Sequence, residues 1–310
     1  MDKKLLVIGL SILTILSMLL IGCQRPSIEI AATLVPEKAD AIAKVRIAEI
    51  LDDEDISDLY ACIAAIDPHA PQTLNLALDE FEDETGIDLR YFNEAVLFAD
   101  TSTIEATVPY LGAIVECNIP AKQVFEILRR LGIRNYKVYT YSGYEIYSLD
   151  DDIGIAFLSS KLVAVGPRNV VEDIIDVSNG RSKPIEGELY EMYEELGNPL
   201  VKAVSRVPPS VSQEFPIEIP LDIAAGTLDK DSSTIYLQLQ LYFASSSIAS
   251  DSKDVIQGLI AGVKYIYPQP EIRNMLNRVE VVTYDSQVSV QAEATVDEVK
   301  DLTSVLKNIL

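Results

Sequence analysis

The chain has no tryptophan, one histidine (His69) and three cysteines, Cys23, Cys62 and Cys117. Each scarcity removes a class of chemistry. A Ser-His-Asp or Cys-His centre would have to use His69, which sits in the turn-forming stretch Asp67-Pro68-His69-Ala70-Pro71. No serine lies in a Gly-x-Ser-x-Gly elbow. One histidine and no Cys-x-x-Cys leave no zinc-ligand set. Gly154 and Gly166 are isolated, so no glycine-rich phosphate loop emerges. Basic residues are few: 25 Lys and Arg stand against 48 Asp and Glu, a net charge of −23. Nucleic acid and anionic lipid headgroups repel such a chain. The lack of Trp also weighs against sugar binding.

What is present starts with an apolar leader. Lys3 and Lys4 precede a run from Leu5 to Ile21, interrupted by Gly9, Ser11, Thr14 and Ser17. At about 1.5 Å per helical residue this run is borderline for crossing a bilayer. Its positive start and the small residue before Cys23 read instead as a secretory signal. The ending Leu20-Ile21-Gly22-Cys23 resembles the lipobox of bacterial lipoproteins. The resemblance implies that the Cys23 sulfur receives a diacylglycerol and that cleavage falls before it. The new amino group is then acylated, by palmitate or a similar acid. Residues 1–22 become a signal peptide and 23–28 a lipidated tether. Removing Asp2, Lys3 and Lys4 leaves the mature part at −24. Two or more acyl chains hold a protein stably to a membrane, so the lipid on Cys23 is the expected membrane contact. The expected location is extracytoplasmic, anchored to a bacterial membrane by lipid.

Hydrophobic content of 48% is too high for a disordered tether. Pro208, Pro209, Pro216 and Pro220 mark 208–220 as a linker between a first domain over 29–207 and a second over 221–310. Cys62 and Cys117 admit one disulfide or two separate buried thiols.

Periodicity fills in the elements. Leu74, Ala77, Leu78 and Phe81 fall on one helical stripe, which Gly86 ends. A helix opens at Pro120, and another follows Pro167 with Val170, Val171, Ile174 and Ile175 inward. Asp251 and Asp254 start a further helix. Ser142-Gly143 and Asp285-Ser286 read as hairpin turns. From Thr234 to Phe243 the chain alternates strictly, with Ile235, Leu237, Leu239, Leu241 and Phe243 on a core face and Tyr236, Gln238, Gln240 and Tyr242 on a wetter one. Thr295 and Glu298 have capping-box spacing. Hairpins imply antiparallel pairing, so the expected class is α+β with helices packed on one sheet face. The stretches 110–178 and 234–309 share the order strand, helix, hairpin, helix, which suggests two similar halves.

Over about Leu34 to Ile309 this order is similar to an uncharacterised family of bacterial exported proteins. The residues that carry the likeness are Val35-Pro36, Thr85-Gly86-Ile87-Asp88 and Tyr141-Ser142-Gly143-Tyr144-Glu145-Ile146-Tyr147. The resemblance implies a fold and a compartment and no activity.

Carboxylates cluster at 52–55, 82–84 and 150–152, without EF-hand spacing. They read as solvated faces, or as cation or hydrolase carboxylates. Tyr139, Tyr141, Tyr144 and Tyr147 concentrate on one hairpin, either as a ligand surface or as cross-strand packing. No catalytic constellation and no cofactor motif emerges. The expected function is therefore non-enzymatic binding of an envelope protein or other ligand. A transporter's solute-binding lipoprotein and a carboxylate-dependent hydrolase are the alternatives.

Overall fold

The computed structural model describes residues 31–66, 70–103, 106, 108–118, 136–149, 153–208 and 220–307. Cys23, His69, the helix expected from Pro120 and the acidic cluster 150–152 lie outside the described residues.

The strands are β1 (Ala41–Val45), β2 (Phe92–Ala99), β3 (Leu111–Cys117), β4 (Tyr136–Tyr141), β5 (Tyr144–Leu149), β6 (Ile153–Phe157), β7 (Leu162–Pro167), β8 (Val201–Arg206), β9 (Leu221–Asp231), β10 (Thr234–Phe243), β11 (Glu280–Tyr284) and β12 (Gln287–Thr295). They pair into one antiparallel sheet of order β11-β12-β10-β9-β8-β1-β2-β3-β7-β6-β5-β4. The described helices are α1 (Ile47–Leu51), α2 (Glu54–Ala64), α3 (Leu74–Thr85), α4 (Arg168–Ser178), α5 (Glu188–Glu195), α6 (Ser246–Ile266), α7 (Pro270–Asn277) and α8 (Val296–Lys307). The class is α+β.

Three expectations change. The helices lie on both faces of the sheet rather than one. Adjacent strand residues point to opposite faces, and the central strands are apolar at both parities. Ile42, Val96 and Ile114 bury under α4 and α5. Val45 and Ala95 bury on the other side, with residues of α2, α3 and α8. Second, the proline-rich stretch 208–220 joins neighbouring strands, because β8 and β9 pair in register from Val201↔Leu228 to Arg206↔Ile223. It does not separate two sheets. Third, the acidic cluster 52–55 is not simply a solvated face. Asp53 caps α2 by accepting from the Ile56 N–H at 3.1 Å.

The two similar halves have a structural counterpart in pairing. β3 pairs with β7, the strand that leads into α4, and β10 pairs with β12, the strand that leads into α8. The closing helices fall on opposite faces: α4 packs in the first cluster, and Val296 and Val299 of α8 in the second.

Several local signals act as the sequence requires. Thr73 caps α3 and Gly86 ends it at φ 73°, a left-handed position that costs glycine little. Ser142 and Gly143 both have positive φ, 54° and 89°, which makes the type I′ turn whose twist suits a hairpin. Thr295 and Glu298 form a reciprocal capping box: the Thr295 N–H donates to Glu298 Oε2 at 2.8 Å and the Glu298 N–H to Thr295 Oγ1 at 3.2 Å. Helix α6 starts earlier than Asp251, at Ser246, because Ser245 provides its cap.

Candidate ligand-binding surface

Register carries each face row across the sheet, and the rows change character along the way. On the face bearing α4 and α5, one row runs Phe98, Ile42, Val204, Ala225, Gln240, Ser289, Val282. Its first four residues are buried in the main core. At β10 and β12 the row turns polar, with Gln240 and Ser289, before ending on Val282. The next row runs Val96, Lys44, Lys202, Thr227, Gln238, Gln291, Glu280 and turns polar sooner. Among the described residues, α4 and α5 cover this face as far as β9 and the Tyr242 end of β10, where Tyr242 packs against the main core; beyond that, β10, β12 and β11 carry no described helix on this face.

The open part is a platform of tyrosines and amides. Gln238 faces Gln291, Tyr242 faces Gln287, and Gln287 in turn faces Tyr284. Tyr236 and Tyr284 are 42% and 66% exposed. The Tyr242 hydroxyl donates to Gln240 Oε1 at 2.6 Å and accepts from Gln287 Nε2 at 3.4 Å. Burial, then the nearby Glu195 carboxylate, raise the Tyr242 pKa, so this phenol stays protonated. Beside it opens a cleft of about 400 Å³ between α5 and the strands, lined by Glu188, Met192, Arg206, Asp222, Tyr242 and Phe243 among others. Arg206 reaches Glu188 at 3.7 Å across its mouth.

A buried polar seam interrupts the second row between Val96 and Thr227. Lys44 and Lys202 are adjacent across β1 and β8 and are 0% and 1% exposed. Lys202 Nζ donates to the Tyr193 and Gly197 carbonyls at 3.2 and 2.8 Å and lies 3.8 Å from the Tyr193 ring centroid. A cation here satisfies carbonyls at the C-terminal end of α5, where the helix dipole favours positive charge. Lys44 Nζ donates to Asn198 Oδ1 at 2.9 Å and sits 3.4 Å from Glu94. Arg46 donates to the Asn198 carbonyl at 3.1 Å and pairs with Glu49, whose carboxyl pKa is raised by burial against the pull of Arg46. The seam ties the loop after α5 to the sheet.

The tyrosine hairpin singled out in the sequence has a different environment. Tyr139, Tyr141 and Tyr144 share the face under α4 and pack against the core. The Arg168 guanidinium stacks 3.8 Å from the Tyr139 ring centroid, and the Tyr141 hydroxyl donates to Asp176 at 2.8 Å. Burial first, with Glu172 adding to it, pushes Tyr139 up to about 12. Tyr147 points to the opposite face, where it meets Tyr136 and Phe157 edge-on, and its hydrogen bond to Glu145 pushes it up to about 12. So the sheet brings three of the four together as packing residues and sends the fourth away.

The disulfide between Cys62 and Cys117 does not form. Cys62 is half-buried on α2, whereas Cys117 ends β3 in a separate cluster with Val163. The acidic cluster at 52–55 holds Lys230: its Nζ lies 2.7 Å from both Asp53 and Asp55. At 82–84, Glu82 lies 3.9 Å from Arg90, which offsets an anion at a helix C-terminus. Among the described residues no group of three metal-ligating side chains converges, and no helix is long and apolar enough to cross a membrane.

No family model matches the chain, and no curated protein does. Solved structures do. Crystal form III of TP0453 superposes with a TM-score of 0.54 at 11% identity, covering 92% of this chain and 100% of that one. Crystal form I gives 0.51 at 10% identity, with 92% and 99% covered. At these identities the likeness shows a shared fold over nearly the whole chain.

Proposed function

We propose that this chain is a lipid-anchored, extracytoplasmic, non-enzymatic protein that binds a ligand at the bacterial cell envelope. The anchor is Cys23, read from its lipobox. The ligand surface is the open face of β10, β12 and β11 with its adjoining cleft. One observation carries this reading: the face rows bury apolar residues and two carbonyl- and amide-bonded lysines under α4 and α5, then carry mostly tyrosines and amides where no described helix covers them. A strand face that needed only to be soluble could use lysine and glutamate. Large half-exposed rings beside amides are instead suited to contact. The hydrolase alternative needs two carboxylates converging in a cleft. Glu188 and Asp222 both line this one, and Glu188 lies 3.7 Å from Arg206, an ion pair that holds it charged rather than as a proton donor.

The experiment is metabolic labelling with an alkyne-bearing palmitate in bacteria expressing the full chain. The expected result is a labelled protein in the membrane fraction and, for Cys23→Ala, an unlabelled one. A label that persists in Cys23→Ala, or wild-type protein without label, would overturn the anchor.

A further inference from the structure

The open face has no lysine or arginine at any described position on β9 to β12 that points to it. Its charged members are acidic: Glu280 at the β11 edge, Asp231 at the end of the β9–β10 hairpin, and Asp229 and Glu293 on either side of Tyr236. The centre is uncharged: Thr227, Gln238, Gln240, Ser289 and Gln291, with Tyr236, Tyr242 and Tyr284 around them. At about 4.8 Å per strand, four strands make a surface roughly 14 Å wide. In its middle, Ser289 is 4% exposed and its hydroxyl has no hydrogen-bond partner among the described residues. An unsatisfied buried hydroxyl is costly, and this one belongs to the face row between Gln240 and Val282.

We infer that this surface binds a neutral glycan chain. The inference rests on the binding reading above and names its ligand class. These carboxylates exclude phosphorylated, sulfated or carboxylate-rich ligands by repulsion. A cationic ligand would need acceptors alone, and the N–H donors of four glutamines would then be misplaced. Sugar hydroxyls both donate and accept, as do amide side chains and the Tyr242 hydroxyl. The C–H faces of sugar rings stack on aromatic rings. Here Tyr236 and Tyr284 stand on opposite sides of the amide patch and fill the role that the missing Trp leaves open. A flat, uncharged strip with rings at either side fits an extended chain better than a compact solute.

The test uses the full chain in mild detergent with linear hexasaccharides of glucose, mannose and N-acetylglucosamine, read by calorimetry and ligand-observed NMR. At least one should bind saturably, with an affinity unchanged at about 0.5 M salt, where surface charge is screened. The double variant Tyr236→Ala/Tyr284→Ala should weaken binding roughly tenfold or more, about 1.4 kcal/mol. Gln238→Ala/Gln291→Ala should weaken it as well and serves if the tyrosine variant loses its fold. Tyr141→Phe, on the covered hairpin, should leave it unchanged. Binding of spermine or oligolysine with steep salt dependence, and of no hexasaccharide, would overturn the glycan assignment. So would hexasaccharide binding that neither double variant reduces. In the first case, loss of spermine binding in the same double variants would keep the broader reading, and undiminished binding would overturn it too. In the second it would be another surface that binds.

Discussion

The two ends of this one sheet use tyrosine in opposite ways. Under α4, Tyr139, Tyr141 and Tyr144 are half-buried, and an arginine and an aspartate from the helix hold two of them. Across the sheet, Tyr236 and Tyr284 stand out from strands that no described helix covers on that face. Strand geometry alternates side chains identically at both ends. The difference lies in what packs on top, and it turns a tyrosine from a core element into a contact surface.

The comparison can be broken by mutation, and the largest effect belongs to the covered end. Ile174 on α4 is fully buried, so Ile174→Ala should cost about 3 kcal/mol in urea unfolding, from lost burial plus a cavity. An effect below about 1 kcal/mol would mean that α4 is not docked. At the seam, Lys202→Met removes the donor that the Tyr193 and Gly197 carbonyls share, and about 2 kcal/mol should be lost. A smaller loss, about 1 kcal/mol, is expected for Tyr141→Phe, which deletes one hydrogen bond to Asp176.

The open end is held from its other face, and there pH is the sharper probe. Hydrogen bonds from Arg278, then from the Thr295 backbone, hold the Glu298 carboxyl at about 2, below the ordinary value of 4.5. Its contribution is thus present above pH 4.5 and is lost as pH falls toward 2. Glu298→Gln should lower stability at pH 7 by about 1 kcal/mol, given partial exposure, and the difference from wild type should vanish near the lower pKa. A pH-independent difference would contradict the capping box. The smallest effect is expected for Tyr236→Ala/Tyr284→Ala, within about 0.5 kcal/mol of wild type in thermal unfolding.

Local signals were legible in the sequence. The strict alternation from Thr234 to Phe243 is β10 from end to end, and the Ser142-Gly143 turn and the Thr295–Glu298 box form as their chemistry dictates. Strand β9 was not legible: it follows a proline-rich stretch and carries Ala224, Ala225, Gly226 and Asp229, residues with weak strand preference that gain their place by pairing with β8 and β10. The binding face was half legible. Alternation announced a wet side to β10, but not that β11 and β12 would extend it into a surface. It also made Leu237 and Leu239 core residues, yet they are 39% and 38% exposed, because α6 covers only part of that side. The tyrosine hairpin drew attention by density. Its burial depends on Arg168 and Asp176, roughly thirty residues away in sequence, and no local pattern connects them.

The most direct test is site-specific photo-cross-linking in intact cells, with a benzophenone amino acid placed in the full chain at position 284 or at position 141. The open-face account predicts an adduct from position 284 and none from position 141. An adduct from 141 alone, or from neither position, would contradict it.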